Sequence, residues 1–526
     1  MPPIIGRPDA KSLMTPDERR ALSAALIAVL LGALDLTVIA TILPGMVTDL
    51  RINAADVDRY VWIVNSYLLA YIIAIPLVGR ISDLLGRTIA FQGSLALFIT
   101  GSLWCALASD LPGMVIGRAI QGAGGGALLP VTMALVGDML PPGRRAAALG
   151  LVGAIDTLGW VLGPLWGALL VEFAPGAEAW RWVFIVNVPL ALLAAIAIAR
   201  VKSGARPIAP GWLGRLDLPG VFLLAGALLA LNLGLSAGGE LGASPAGGRA
   251  LGGSRNPLAD QVLPLLLIAA ILGALLIWRQ HKTAWPLLPV SLFRDRLFVA
   301  AILANFLIGM SLIVAMVDVP VITALLVDQA SVSRVSAVML APFTLLIAAL
   351  SFAGGRVANR FGLRHTATVG FVLVAIGYGA LWFGLRNGAL IGMTPGLLLA
   401  GAGFGLLFAP IGATAIDSAP DADRGIAAAM SLVFRLLGMT IGISILTAIA
   451  VRRLQGLVGN LESIVQAPDE STADFLARQT ALLYEIVLPI SLQVARETFL
   501  LAGAIALLGL IPIAAFPKLS STRDGD

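Results

Sequence analysis

Five ionisable residues lie inside long apolar stretches of the chain: Asp35, Arg118, Asp156, Asp318 and Arg435. A charged side chain is costly at membrane depth, so each of them is a candidate for function. Burial and a neighbouring arginine act in opposite directions on the proton affinity of a carboxyl group, and together they allow proton exchange near neutral pH. Arginine stays charged when it is buried and can modulate a carboxyl without itself titrating. We therefore predict that these residues take part in proton coupling.

The partners of the three carboxylates stay open at this point. Asp35 can pair with Arg118 or with Arg435, and a purely structural ion pair is the alternative to a coupling role. Asp156 and Asp318 can each be a cavity carboxylate or a rim residue paired with an arginine, because structural ion pairs also perturb titration.

The elements that must position these residues are long apolar segments. Hydrophobic residues make up 58% and charged residues 12% of the 526 residues, whereas soluble domains carry about 25% charged residues. Apolar runs of about twenty residues recur along the chain, which predicts an all-α polytopic membrane protein. Fourteen transmembrane helices are predicted, near residues 21–43, 61–78, 88–108, 112–136, 146–171, 182–199, 217–236, 260–278, 298–325, 334–354, 366–386, 395–417, 425–450 and 495–516.

Two short charged stretches between apolar segments repeat each other. The residues from Gly79 read Gly-Arg-Ile-Ser-Asp-Leu-Leu-Gly-Arg, and those from Gly355 read Gly-Arg-Val-Ala-Asn-Arg-Phe-Gly-Leu-Arg. Gly79 and Gly355 are 276 positions apart, as are Gly86 and Gly362, so the chain is an internal duplication. Such repeats are typical of transporters in which two halves rock around a central site. The offset exceeds half of the chain, so extra residues must lie between the halves.

The first stretch resembles the signature loop of the major facilitator superfamily, Gly-x-x-x-Asp-x-x-Gly-Arg, with Asp83 and Arg87 at its charged positions. The resemblance implies the major facilitator fold, which here consists of two six-helix bundles plus two inserted helices. It also implies a conformational latch. Asp83 is expected to bind the helix N-terminus near Arg424–Gly425, where free N–H groups favour a carboxylate, and to stabilise the outward-open state. The second copy keeps Arg356 but has Asn359 in place of the aspartate, which implies a weaker or merely structural latch.

The predicted fifth helix has a face of small residues. Gly159, Gly163 and Gly167 are four residues apart, and Pro164 bends the helix by removing a hydrogen bond. Ordinary close packing of helices explains such a face equally well. The placement nevertheless resembles the fifth-helix motif of exporters in this superfamily, which favours export over uptake. With fourteen spans, the chain resembles the drug:proton antiporter branch, and Arg118 matches the fourth-helix arginine that is associated with proton coupling in the superfamily.

Span count and resemblance together divide the chain into regions. The predicted regions are a cytoplasmic tail at 1–20, a six-helix bundle at 21–200, a linker with the two inserted helices at 201–297, a second six-helix bundle at 298–516 and a tail at 517–526. Apart from Asn232, the inserted helices carry little polar chemistry, and we interpret them as a structural insertion beside the transport core. Residues 451–494 are predicted to form an extracytoplasmic helical hairpin, with a helix lying flat on the outer leaflet as the alternative.

Lysine and arginine are distributed unevenly about the membrane. With a cytoplasmic N-terminus, 22 of the 35 fall on the cytoplasmic side, 11 on the outer side and two within spans. This bias follows the positive-inside rule and predicts a multi-pass protein with both termini in the cytoplasm. We expect it in the inner membrane of a bacterial cell, as a monomer. The expected partners are membrane lipids, a lipophilic small-molecule substrate and an extracytoplasmic lipoprotein at the hairpin, and no nucleic acid.

The composition at membrane depth favours a lipophilic substrate. Asn65, Gln121 and Asn305 are the predicted polar residues of the cavity, too few for a sugar site. The chain also resembles, more loosely, the mycobacterial exporters of triacylglycerol and drugs, which implies an apolar substrate passed outward. The predicted function is therefore a secondary active transporter, a proton-coupled antiporter that exports drugs or lipids such as triacylglycerol by alternating access.

Other functions have less support in the sequence. No Gly-Lys-Ser/Thr phosphate-binding loop occurs, so ATP is not the expected energy source and no cofactor is expected besides the proton gradient. Two histidines and the single Cys105 provide no metal site or nucleophile constellation for an enzyme. A metabolite symporter or uniporter of the same fold and a non-transporting membrane scaffold remain the alternatives.

Overall fold

The computed structural model describes residues 15–52, 57–139, 142–176, 178–200, 216–237, 258–287, 290–328, 331–420, 424–458 and 471–517. Within these ranges the chain forms helices and no strands. Thirteen helices are long and apolar enough to cross a membrane, and a bent pair, Leu151–Trp160 and Leu162–Phe173, makes up to fourteen. The predicted all-α polytopic fold is confirmed, and the predicted count of fourteen holds when the bent pair is one span.

Fourteen long helices lie within the described ranges. They are α1 (Pro16–Asp49), α2 (Trp62–Leu85), α3 (Arg87–Leu107), α4 (Leu111–Met139), α5 (Pro142–Phe173), α6 (Arg181–Ala199), α7 (Leu218–Ala237), α8 (Val262–Lys282), α9 (Arg296–Leu326), α10 (Val332–Phe361), α11 (Leu363–Gly384), α12 (Thr394–Asp417), α13 (Arg424–Val458) and α14 (Leu488–Leu508). Short α-helices cover Val57–Tyr60, Thr472–Leu482 and Leu510–Ile513. Below, the inner end of the molecule is the end at which α1 begins, and the outer end is the opposite one.

The long helices form two bundles with the same packing pattern. In the first, α1 packs on α4, α5 and α6, α2 packs on α4, and α3 packs on α4 and α6. In the second, α9 packs on α12, α13 and α14, α10 packs on α12, and α11 packs on α12 and α14. Every contact of the first bundle therefore recurs between helices eight numbers later. The duplication predicted from the two loop motifs is confirmed.

Glycines end α2 and α10 within these motifs. Gly86 has φ 101° and Gly362 has φ 88°, and each residue is the C-cap of one helix and the N-cap of the next. Side chains with a Cβ rarely adopt this backbone conformation, whereas glycine does so without a steric penalty. The two equivalent glycines therefore set the tight turns α2–α3 and α10–α11.

Helices α7 and α8, here called the inserted pair, lie between the two bundles in sequence. They pack along each other, and α7 also contacts α2 of the first bundle and α13 of the second. At their inner ends, Arg279 Nε lies 2.5 Å from Asp217 Oδ1, and Gln280 Nε2 donates to Asp217 Oδ2 at 2.8 Å. The two helices of the inserted pair are thus bonded to each other. The pair also contacts both halves, so it is more than an insertion beside the transport core.

The predicted hairpin has two described arms. At 35 residues, α13 is about 52 Å long, well beyond the roughly 30 Å of hydrocarbon. Arg453 Nε donates to Glu497 Oε2 at 2.9 Å and ties the outer part of α13 to α14. The return arm includes the helix Thr472–Leu482, and the tip at 459–470 lies outside the described residues. The hairpin, its alternative of a helix lying flat and the predicted domain boundaries all stay predictions.

Candidate functional site

The first bundle contains a buried ion pair between α1 and α4. Arg118 Nη1 donates to Asp35 Oδ2 at 2.6 Å, and the side chains are 1% and 0% exposed. The other carboxylate oxygen, Asp35 Oδ1, accepts from Gln121 Nε2 at 2.8 Å and from Asn187 Nδ2 at 2.9 Å. Both carboxylate oxygens are therefore occupied by donors from α4 and α6.

The arginine of this pair is equally well surrounded. Arg118 Nη1 also donates to Gln121 Oε1 at 2.7 Å, and its Nε donates to Ile63 O at 3.3 Å. Its guanidinium lies 4.0 Å from the centroid of the Tyr67 ring, a distance at which a cation is attracted to a ring face. Of the two partners left open for Asp35, the structure selects Arg118, and Asp35 and Arg435 belong to different sites.

Sequence reasoning missed Asn187, although a signal was present. It is an amide in the middle of an otherwise apolar stretch, Trp182-Val-Phe-Ile-Val-Asn187-Val. A polar residue at membrane depth needs a hydrogen-bond partner, so it points to a polar neighbour on another helix. The same logic that singled out Asn65 and Gln121 applies to Asn187.

A central cavity lies between the two bundles. It encloses about 510 Å³, a volume that includes space open to solvent, and its lining residues are Asp156 and Trp160 of α5, Leu312 and Met316 of α9, Phe343, Thr344 and Ile347 of α10, Phe408 of α12 and Arg435 of α13. Most of this wall is aromatic or aliphatic. One carboxylate and one guanidinium supply its only charges among the lining residues. Two of the five predicted coupling residues, Asp156 and Arg435, therefore share this cavity.

Arg435 is held in the cavity by aromatic rings. Its guanidinium carbon lies 4.9 Å from the centroid of the Phe408 ring and 5.3 Å from that of Trp160, across the boundary between the halves. Its Nε is buried and makes no hydrogen bond. A buried donor without an acceptor is costly, so this atom would gain a hydrogen bond from a ligand or a carboxylate that moved next to it.

The third predicted carboxylate, Asp318, lies elsewhere. Its Oδ2 accepts a hydrogen bond from Thr498 Oγ1 at 2.6 Å, between α9 and α14 of the second bundle. Asp318 is not among the residues that line the central cavity, and its described partner is a hydroxyl rather than an arginine. Its coupling role stays a prediction.

The three residues predicted as polar cavity residues lie in helix contacts instead. Gln121 belongs to the Asp35 site, Asn305 Nδ2 donates to Ser431 Oγ at 2.5 Å, and Asn65 Nδ2 donates to Ser444 Oγ at 3.1 Å. None of the three lines the central cavity. Each amide nitrogen donates to a group in a buried helix contact, and a role in a polar cavity stays a prediction for these residues.

The glycine face of α5 packs directly on α1. A Cβ built on Gly159 would lie 2.5 Å from Ala33 Cβ, one on Gly163 would lie 1.9 Å from Thr37 Oγ1, and one on Gly167 would lie 2.5 Å from Thr41 Oγ1. The backbones of α1 and α5 can approach this closely only without side chains at these positions. Ordinary close packing is therefore sufficient to explain the face, and its link to export stays a prediction.

Pro164 bends α5 beside this contact. The two parts of the helix meet at 52° near Trp160–Leu162. Pro164 has no N–H to donate to the carbonyl of Trp160, one turn earlier. Thr37 Oγ1 donates to this carbonyl at 3.0 Å, so α1 supplies the hydrogen bond that the proline removes.

The latch residues are bound within the first half. Arg87 Nη1 lies 2.5 Å from Asp83 Oδ1, and Arg87 Nε lies 3.2 Å from Asp138 Oδ2 of α4. The described partner of Asp83 is therefore Arg87, and the expected contact of Asp83 with the start of α13 stays a prediction. The side chains of Asn359 and Arg424 lie outside the described residues. Arg356 of the second copy is exposed, and both Gly79 and Gly355 have open space around the position of a Cβ.

The described polar contacts between the two halves lie toward the outer end. Arg334 Nη1 of α10 lies 3.6 Å from Glu172 Oε1 of α5. The bond between Asn65 of α2 and Ser444 of α13 joins the halves on another side. We call this arrangement the outer-closed state.

Comparisons with known proteins agree on one family. A family model described as Major Facilitator Superfamily matches residues 25–443. The chain is 38% identical over 477 residues to a triacylglyceride transporter of Mycolicibacterium hassiacum, covering 88% of this chain and 84% of that protein. It is 36% identical over 469 residues to a triacylglyceride transporter of Mycobacterium tuberculosis, covering 86% of each.

Solved structures show the same fold. A bacterial homologue of the human lysosomal transporter Spinster, inward-facing and unoccupied, has a TM-score of 0.65 at 16% identity and covers 96% of this chain and 98% of its own. A D-xylose–proton symporter has a TM-score of 0.60 at 16% identity, with 95% and 98% coverage. At this identity the likeness concerns the fold alone.

Proposed function

The chain belongs to the major facilitator superfamily and is a multi-pass membrane transporter rather than an enzyme, and on that premise we propose that it is a proton-coupled antiporter. Its proposed substrates are neutral lipophilic compounds, including acyl esters such as triacylglycerol, which it exports by alternating access. The relatives named as triacylglyceride transporters support the lipid substrate. The proposed location is the inner membrane of a bacterial cell, with both termini in the cytoplasm.

The observation that carries this proposal is the chemistry of the central cavity. Its wall is mainly aromatic and aliphatic, and the only charges among the lining residues are those of Asp156 and Arg435. Hydrogen-bonding groups that orient a sugar on all sides are missing from the lining residues. An apolar ligand therefore loses little by leaving the membrane for this cavity.

Arg435 gives the cavity a point of recognition. Its unpaired Nε can donate to an ester carbonyl, which is the polar group that a neutral acyl ester offers. The two rings beside it, Trp160 and Phe408, supply apolar contact for an attached chain. A lipophilic ester thus matches both the donor and the wall.

We place proton exchange at Asp156 and a positioning role at Asp35. Asp156 lines the cavity, so protons and substrate reach the same space. Asp35 is enclosed by Arg118, Gln121 and Asn187, with both oxygens occupied. A change of charge at Asp156 alters the field at the substrate site, and this supplies the free-energy coupling that antiport requires.

The proposal is tested in proteoliposomes with an imposed pH gradient. A fluorescent lipophilic dye and a labelled triacylglycerol are followed in parallel, with wild type, Asp156→Asn and Asp318→Asn. We expect gradient-dependent movement that Asp156→Asn abolishes and Asp318→Asn keeps, because only Asp156 lines the cavity.

Each outcome has a distinct meaning. Movement of lipid without dye would restrict the substrate to lipids, and loss in Asp318→Asn alone would move proton exchange to that residue. A transport rate that does not depend on the pH gradient would overturn the antiport mechanism. If folded protein moved neither compound, a lipophilic substrate would be wrong and metabolites would be tested next.

A further inference from the structure

A three-residue polar junction joins the inserted pair to both halves near the outer end. Asn65 of α2 donates to Ser444 Oγ of α13 at 3.1 Å, and Ser444 Oγ donates to Asn232 Oδ1 of α7 at 2.8 Å. All three side chains are buried in an otherwise apolar contact. Ser444 is therefore shared between the opposite half and the inserted pair, and its hydroxyl is oriented by both.

The inserted pair makes a second contact with the first half at the inner end. The guanidinium carbon of Arg80, next to the latch glycine Gly79, lies 4.7 Å from the centroid of the Trp285 ring, just beyond the end of α8. Arg80 Nε is buried and makes no hydrogen bond. Stacking on Trp285 is therefore the described interaction that holds this cation in place.

Ion pairing makes the inserted pair a single body that reaches from one contact to the other. Asp217 of α7 is bound by Arg279 and Gln280 of α8, so the helices cannot slide past each other without breaking buried hydrogen bonds. Asn232 lies near the outer end of α7, and Trp285 follows the inner end of α8. Both contacts exist in the outer-closed state.

We propose that the inserted pair stabilises the outer-closed state, with Asn232 and Trp285 as positioning residues for alternating access. Asn65 and Ser444 lie on opposite halves and must separate when the outer end opens. The Ser444 hydroxyl also lies 3.0 Å from Thr440 O of its own helix, so the bond to Asn232 is the one that ties α13 to the inserted pair. Trp285 holds α2, the helix that carries Asn65, at its other end. The inserted pair thus has a mechanical role in the transport cycle and is more than an insertion.

One unpaired atom in the junction favours its opening. Asn65 Oδ1 is buried without a hydrogen bond in the outer-closed state. Such an atom is unfavourable while it is dry and regains water when the contact parts. This orphan oxygen offsets part of the stabilisation from the two hydrogen bonds, so the loss of one bond changes the balance between states.

The test measures the distance across each end by pulsed electron resonance, in full-length protein in lipid nanodiscs. Outer labels go on Phe173→Cys and Ile391→Cys, and inner labels on Ile89→Cys and Phe361→Cys, all at exposed positions on opposite halves, while native Cys105 is buried. Asn232→Leu keeps the branched shape of the side chain and removes the acceptor. Ser236→Ala, one turn along α7, is the matched control because its hydroxyl is buried and makes no hydrogen bond. Trp285→Ala is paired with Trp285→Phe, which keeps a ring face.

Loss of one neutral hydrogen bond predicts a roughly fivefold rise in the ratio of outer-open to outer-closed protein for Asn232→Leu. Trp285→Ala is expected to shift the ratio in the same direction, while Ser236→Ala leaves it unchanged and Trp285→Phe stays near wild type. Unchanged distances in both Asn232→Leu and Trp285→Ala would overturn the proposal, and so would an equal shift in Ser236→Ala. No substrate is needed, so the result stands apart from the transport assay.

Discussion

Breaking the Asp35–Arg118 pair from either side is expected to destabilise the protein more than removing both charges. Asp35→Asn leaves the Arg118 cation 1% exposed with no carboxylate beside it. Arg118→Gln leaves a buried carboxylate whose remaining donors are the amides of Gln121 and Asn187. Removing one partner of a buried pair costs about 3–5 kcal/mol, because the other charge is left uncompensated.

The double variant Asp35→Asn/Arg118→Gln removes both charges from the same pocket. Four amides, at positions 35, 118, 121 and 187, can then exchange neutral hydrogen bonds with one another. Neutral replacement of a buried pair is often nearly free of cost, so the double loss should fall short of the summed single losses by about 3 kcal/mol or more.

The assay is thermal unfolding of the purified transporters in detergent, followed by tryptophan fluorescence. Unfolding of a large membrane protein is irreversible, so midpoints are compared at one heating rate. The expected order is wild type, then the double variant, then the two single variants. Asp318→Asn is the control, since this carboxylate is bound by the Thr498 hydroxyl, and its midpoint should stay close to wild type. The reasoning would be refuted if the unfolding midpoint of Asp35→Asn equalled that of wild type. It would also be refuted if the midpoint of the double variant were no higher than those of the single variants.

The same measurement checks three further predictions. Thr37→Val should lower the free energy of unfolding by about 1–3 kcal/mol, because it leaves the Trp160 carbonyl without a donor. Thr41→Val should lower it less, since Pro164 O keeps its donor within the helix. Gly163→Ala should cost about 1–3 kcal/mol through overpacking, because the new Cβ would lie 1.9 Å from Thr37 Oγ1, and an unchanged midpoint would show that α1 and α5 can separate freely. Gly86→Ala should cost about 1–3 kcal/mol in backbone strain at φ 101°, while Gly79→Ala, with open space and helical backbone, should be neutral or slightly stabilising.

Helix α5 shows what the sequence could predict and where it stopped. The four-residue spacing of its glycines and the position of Pro164 were enough to predict a close-packed face and a bend. The hydroxyl that serves the freed carbonyl comes from Thr37, 123 positions earlier. Periodicity places residues on a face of one helix, but it does not give the rotation of a second helix against that face, so this partner could not be derived.

The same limit applies to the two charged sites, the buried pair and the central cavity. Asp35, Arg118, Asp156 and Arg435 could be singled out because a charge at membrane depth is costly wherever it lies. Their division into a buried pair and a cavity depends on packing between helices, which the sequence left open. The aromatic wall of the cavity carried no signal at all, because Trp160 and Phe408 resemble any other aromatic residue of a membrane span.

The position of Asp83 follows from the state of the whole molecule. Two halves that rock about a central site open the inner and outer ends in alternation. In this structure Glu172 with Arg334 and Asn65 with Ser444 join them toward the outer end. A latch between Asp83 and the start of α13 would join them at the inner end, so it belongs to the opposite state. The described partner of the carboxylate is Arg87, one turn away on its own half. An alternating transporter uses contacts at the two ends in turn, so the predicted latch and the outer contacts are expected to be strongest in opposite states.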